Sequence, residues 1–205
     1  MHERQVLRNA AAGLVAAVLA CVLFAGIGAA RAEAPDLEAL LKRIAIKSAD
    51  DVAYEERRYL GALTTPLVSR GHLRFEPPDR LIKKVEAPRR ETAVAERDRL
   101  AVLNGEGVEI ASMDLAVNND LRLIFDGLRG VLSGDAAALR SAFDARVAGD
   151  AKEWRIELTP KAAGGDTRMR SIVVTGAGER IESFEIRERG GDRSNIRLLP
   201  SLQRP

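Results

Sequence analysis

Apolar residues recur along this chain with two different periods, and the points where the period changes divide it into segments. Behind Asp36, the residues Leu37, Leu40, Leu41 and Ile44 fall on one helical face, so LEALLKRIAI reads as a short amphipathic helix. The period then drops to two. RRYLGAL, PLVSRGHLRFE, DRLIKKVEA, RETAVAE, RLAVLN and VEIASM are strand-length runs separated by turn residues, including Pro77-Pro78 and Gly105-Glu106-Gly107. Such short connections require antiparallel neighbours, because a parallel pair needs a crossover of roughly a dozen residues.

The helical period returns between about Asn118 and Ala142. In NNDLRLIFDGLRGVLSG, Leu121, Ile124, Phe125, Leu128, Val131 and Leu132 form one stripe, with Asn118, Asn119 or Asp120 as cap and Gly134 as terminator. A second short helix is expected from Asp135 through Ala142. Beyond it the chain reads as strands again: FDARVAG, KEWRIELTP, TRMRSIVVTG, ERIESFEIRE and SNIRLL. The cleanest alternation sets Trp154, Ile156 and Leu158 against Arg155, Glu157 and Thr159, giving one apolar and one wet face. Strands, a helical insert and more strands predict an α+β fold, mainly antiparallel β. In it, a single curved sheet or incomplete barrel of about 11 strands is covered by short helices.

Ahead of these segments, Arg4 and Arg8 precede an almost unbroken apolar run from Ala10 to Ile27, and Ala30-Arg31-Ala32 matches the small-x-small cleavage rule. Residues 1–32 therefore read as a cleaved secretory signal peptide and 33–205 as a single domain. The run approaches spanning length, so retention as an anchor is the alternative. Cys21, the only cysteine, lies inside the run and would leave with it. Leu19 and the apolar residues that continue past Cys21 disfavour lipid attachment at VLAC. A domain without cysteine has no disulfide, thiolate metal site or thiol nucleophile. Removing Arg4, Arg8, Arg31 and Glu3 from the 32 basic and 30 acidic residues leaves 29 of each. Such a balanced surface, with few aromatics, carries no electrostatic footprint for nucleic acid.

Candidate chemistry is sparse. Outside the leader the one histidine is His72, and in GHLRFE the apolar Leu73 and Phe75 share a face, which turns His72 to the polar side with Arg74 and Glu76. An exposed structural histidine is expected, and no catalytic residue. Asp114, Asn118, Asn119 and Asp120 could ligate calcium but suit capping of the following helix better. GAGE (Gly176 to Glu179), AGGD (Ala163 to Asp166) and GGD (Gly190 to Asp192) lie between strands, with no following helix to cradle a phosphate, and read as hairpin turns. No metal and no cofactor are expected. What stands out is apolar surface, because a broad sheet capped only by short helices favours an apolar cavity. The stripe from Leu121 to Leu132 is either permanent core or a movable lid, and periodicity favours core.

The runs GHLRFEPPDRL, WRIELTPKA, IESFEI and GDRSNIRL, in this order behind a secretory signal, resemble the periplasmic outer-membrane lipoprotein carrier family (LolA) over nearly the whole chain after residue 32. The resemblance implies an incomplete antiparallel barrel with helices as a lid, holding acyl chains of a lipoprotein or related lipid in the periplasm, and no enzyme activity. It also implies an inner-membrane donor complex, an outer-membrane acceptor and a monomeric carrier. On that reading Leu73, Phe75, Leu81, Val85, Leu100, Val102, Trp154, Ile156, Leu158, Phe184 and Ile186 line the cavity, with Leu121, Ile124, Phe125 and Leu128 as lid. Desolvating an acyl chain is worth about 0.8 kcal/mol per methylene and needs area, not a reactive group. The sequence departs from the family pattern at the first turn. The arginine that commonly precedes the turn proline and ties the lid is replaced by Pro77, and Arg80 is the candidate latch in its stead. The chain thus resembles a divergent branch of the family. A sensor or regulator of the same fold that binds a protein partner is the alternative function.

Overall fold

The structure, a computed structural model, describes residues 35–161 and 167–200. The expected signal, Cys21 and the expected AGGD turn lie outside the described residues. Helix α1 (Leu37–Ile44) opens the domain, capped by Asp36, whose carboxylate accepts from the backbone N–H of Glu38 at 3.0 Å and of Ala39 at 3.1 Å. A first run of strands follows: β1 (Asp50–Tyr59), β2 (Leu67–Glu76), β3 (Arg80–Ala87), β4 (Glu91–Glu96), β5 (Arg99–Asn104) and β6 (Glu109–Asp114). After helices α2 (Asn119–Ser133) and α3 (Ala136–Ala142) come β7 (Phe143–Gly149), β8 (Glu153–Pro160), β9 (Met169–Ala177), β10 (Arg180–Glu188) and β11 (Arg193–Leu198).

These strands form one antiparallel sheet of 11, in the order β6-β5-β4-β3-β2-β1-β11-β10-β9-β8-β7. The first and last strands meet in the middle, with Tyr54 opposite Leu198 and Arg58 opposite Ser194. Strands β6 and β7, consecutive along the chain, are the two edges, so the α2–α3 insert connects one edge to the other. Every residue of β6 is exposed. The fold is the open, antiparallel, helix-covered sheet that the alternation predicts.

One strand departs from expectation. β1 ends at Tyr59, and residues 61–65 are turn and bend instead of continuing the strand expected in RRYLGAL. The Leu63 N–H donates to the Leu60 carbonyl at 2.9 Å and the Gly61 N–H to the Asp192 carboxylate at 2.8 Å, which turns the chain away. The true strand, DDVAYEERRY, alternates Val52, Tyr54, Glu56 and Arg58 on its inner face, and charge at two of these positions conceals the period.

The helices pack on one face and fill mainly one half of the sheet. Phe143, Trp154, Ile156, Leu158, Ile172 and Val174, from β7, β8 and β9, join Leu40, Leu41, Val131 and Leu139 of the helices in a single buried cluster. Helix α2 stops at Gly134, whose φ of +76° lies in the left-handed region that glycine enters freely, and the Gly134 N–H returns to the carbonyls of Gly130 and Val131. At Gly71 on β2 the reason for glycine is space. A Cβ there would lie 1.9 Å from the Lys84 carbonyl oxygen on β3, beside a register shift between Arg70 and Gly71.

Candidate functional site

Where the helices do not fill the sheet, a cavity of about 350 Å³ opens between α2 and the inner face of β1 to β5, β10 and β11. This is within the usual size of a small-molecule site. Leu73 and Phe75 of β2, Leu81 of β3, Leu100 of β5 and Phe184 and Ile186 of β10 line it, facing Leu121, Ile124, Phe125 and Leu128 of α2. The other residues expected in the lining stand elsewhere. Trp154, Ile156 and Leu158 are buried in the packed cluster on β8, in the helix-filled half. Val85 and Val102 lie outside the lining, Val85 opposite Gly71 and Val102 opposite Ala93.

Helix α2 is wall and core at once. Leu123 and Val131 are buried in the main cluster, whereas Phe125 packs with Ala95 and Leu115 in a second one. Leu121, Ile124 and Leu128 are half-buried against the cavity. Ile46, Val52, Ala93, Ile196 and Leu198 also belong to the apolar lining. Sequence reasoning passed over them because alanines and single apolar residues in charged strands leave a weak periodic signal.

Arg80, the candidate latch, makes its ion pairs within the sheet. Its Nη1 donates to Glu76 Oε2 at 2.9 Å and its Nε stands 3.7 Å from Glu96, linking β3 to β2 and β4. The first turn of α2 is tied by a different group. The Asp120 carboxylate accepts from the Thr167 hydroxyl, from the Arg168 N–H at 2.9 Å and from Arg168 Nε at 3.3 Å, just before β9. The Thr167 bond above all holds this carboxyl below the usual aspartate range.

Charge also enters the cavity. Glu56 accepts from Lys83 Nζ, from Ser69 Oγ at 3.0 Å and from Ser194 Oγ at 2.5 Å, and only 12% of its side chain is exposed. Burial is the largest single influence and opposes its ionisation. The Lys83 charge and the three hydrogen bonds together outweigh it, so the Glu56 pKa lies below the ordinary glutamate value. The same ammonium sits 5.4 Å from the centroid of the Tyr54 ring, and burial pushes the Tyr54 phenol up to about 12. Arg58 and Glu188 are the other charged residues of the lining on the inner face, whereas the side chains of Arg74 and Arg193 alternate to the outer face, Arg74 beside Glu76 and Arg193 over the Tyr59 ring.

His72 points away from the cavity lining. Its side chain is 42% exposed, with Nδ1 3.5 Å from Glu86. The polar residues around the start of α2 have local work. Asp114 accepts from the Ala116 N–H at 2.7 Å, Asn118 caps the helix through the Leu121 N–H at 3.1 Å, and Asn119 accepts from Arg122 at 3.3 Å. Among the described residues there is no group of three or more His, Cys, Asp or Glu that could hold a metal ion, and no helix is long and apolar enough to cross a membrane.

Residues 29–201 match the family model described as outer membrane lipoprotein carrier protein LolA-like. The outer-membrane lipoprotein carrier protein of Chromohalobacter salexigens is 28% identical over 162 residues, covering 78% of this chain and 71% of that one. Among solved structures, a LolA superfamily protein from Nitrosomonas europaea gives a TM-score of 0.43 at 12% identity, over 81% of this chain and 92% of its own. The MucA/MucB complex of Pseudomonas aeruginosa gives 0.43 at 14% identity, over 80% of this chain and 56% of the matched one. With the family model matched over most of its length, the chain belongs to the outer membrane lipoprotein carrier LolA-like family.

Proposed function

We propose that this protein is a periplasmic carrier that takes acyl chains of lipoproteins or related lipids into the cavity under α2 and moves them toward the outer membrane. The observation that carries the reading is the cavity itself, about 350 Å³ with apolar side chains from both sheet and helix, in a member of a carrier family. A chain of a dozen methylenes seated there would gain roughly 10 kcal/mol gross, before the cost of ordering it. Leu121, Ile124, Phe125 and Leu128 serve as the wall that must yield for entry. That wall belongs to a helix fastened by side chains and not by the hydrogen-bond ladder of the sheet.

On this reading residues 1–32 are a leader removed on export, and cargo passes from an inner-membrane donor to an outer-membrane acceptor through a monomeric carrier. Transfer makes and breaks no covalent bond, so it requires neither catalyst nor cofactor. The test is to purify the protein from periplasm without detergent, extract it with organic solvent and identify the released molecules by mass spectrometry. One acylated molecule per protein is the expected result. An empty protein that stays empty when offered lipid would refute the carrier reading and favour a partner-binding protein of the same fold.

A further inference from the structure

The inner face of the sheet changes character across two neighbouring rows. Phe75, Leu81, Ala95 and Leu100 lie opposite one another on β2 to β5 and form a wholly apolar row. One step along the strands, Leu73 stands opposite Lys83, whose ammonium reaches over β2 to Glu56 on β1. Gly71 of β2, the register partner of Tyr54, has no side chain to obstruct that reach. Beyond Lys83 the lining turns polar, with Glu56 and Ser194 and then Arg58 and Glu188. Two cations balance two carboxylates on this face, so the lining holds no net charge to select an ionic head. Glu56 already accepts from Lys83, Ser69 and Ser194. Lys83 has donors to spare. Of its three N–H groups one bonds Glu56, its one hydrogen-bond acceptor among the described residues, and 29% of its side chain is exposed.

We propose that Lys83 donates to the carbonyl oxygen of an ester- or amide-linked acyl chain whose hydrocarbon lies on the row of Phe75, Leu81 and Leu100, against Phe125. The inference rests on the carrier reading and adds the linkage that the cavity selects. A chain that fills the cavity shuts water away from the spare Lys83 donors, and a buried donor on a charged group is costly to leave unpaired. A hydrocarbon leaves the ammonium in that position, and an ether oxygen accepts only weakly. A carbonyl at the same depth restores a charge-assisted bond without bringing in a charge, which suits a cation already neutralised by Glu56. The ammonium also lies 5.4 Å from the Tyr54 ring centroid, which favours its place over the inner face, between the apolar row and the polar residues.

The test uses the full exported protein, stripped of lipid, titrated by calorimetry below any micelle threshold with dodecanoyl glycerol and its dodecyl ether analogue, which differ only in a carbonyl. The ester is expected to bind about 10-fold more tightly than the ether. With the carbonyl isotope-labelled, its infrared band in the complex should lie at lower frequency than in an apolar solvent, as a hydrogen-bonded carbonyl does. The Lys83→Met/Glu56→Gln variant removes both charges and strands neither. In it the two ligands should bind alike and the band should return to its apolar-solvent position. Equal binding of ester and ether by the unaltered protein, or an ester advantage that survives the double substitution, overturns the proposal. Should the variant fail to fold, the band of the unaltered complex decides, and an apolar-solvent position there overturns the proposal. If neither ligand binds the unaltered protein, the carrier reading falls with it, whereas equal binding removes only the linkage assignment.

Discussion

Replacing Lys83 by methionine takes away the cation that neutralises Glu56 while keeping an aliphatic stem near the Tyr54 ring. The carboxylate keeps its bonds from Ser69 and Ser194 but loses its counter-charge, with only 12% of its side chain exposed. Breaking a fully buried pair costs about 3–5 kcal/mol. Because Lys83 is 29% exposed, solvent screening reduces this to roughly 2 kcal/mol. In urea that is a midpoint lower by about 1 M, for an m-value near 2 kcal/mol/M. The pH dependence is more diagnostic. In the unaltered protein Glu56 is more acidic folded than its reference of 4.5, so its contribution is complete above that pH and is lost as pH falls through the folded value. In the variant, burial is no longer overcome by Lys83, and protonating Glu56 relieves the folded state. Urea unfolding of both proteins from about pH 7 to pH 4 should therefore show the stability gap closing on acidification. A gap of constant size would refute the reasoning, since Lys83 would then act through packing alone.

Tyr54→Phe should flatten the alkaline limb of stability. With its phenol raised from 10.0 to about 12, Tyr54 contributes fully below pH 10 and the contribution is lost as pH rises toward the folded value, which urea titrations from about pH 9 to 11 will follow. Gly71→Ala should lower stability by about 2 kcal/mol or more, a Tm drop of roughly 4–8 °C by calorimetry, because its Cβ meets the Lys84 carbonyl. An unchanged Tm would contradict that close approach. Asp120→Ala should speed amide exchange in the first turns of α2 without altering that of β8 and β10, and the same tie in the unaltered protein should loosen only as pH falls below 3.8, because its folded pKa is depressed. Uniform protection across α2 in the variant would show that the helix is held by packing alone.

Apolar alternation located the strands wherever apolar residues carried it, as on β8, where Trp154, Ile156 and Leu158 are buried and Thr159 is exposed. It failed at β1, where Glu56 and Arg58 occupy inner positions and their charge reads as solvent-facing. The assignment of sites had a different difficulty. Trp154, Ile156 and Leu158 carry the same pattern as Phe184 and Ile186, and only the seating of α2 and α3 decides which residues are enclosed in the cluster and which, like Phe184 and Ile186, join it and also border the cavity. The helix tie was hidden for a related reason. Asn118 is the true cap, recognisable from its place before the apolar stripe, but Asp120 reaches Thr167, 47 positions away, and no local pattern reports such a partner. Likewise Arg80 stands near the proper turn, yet its neighbours in the sheet, Glu76 and Glu96, engage it first.

The chain leaves the sheet at one edge, β6, and re-enters it at the other, β7, so the helical insert is a tether strung across an open spring. The strands before the insert and those after it are joined within the sheet by the β1 to β11 ladder, which runs down the middle. Spreading the sheet about this line draws the tether taut, and relaxing it lets the tether go slack. Aperture and helix position are therefore one mechanical coordinate, and an occupant large enough to part the edges must also shift the helices that cover it.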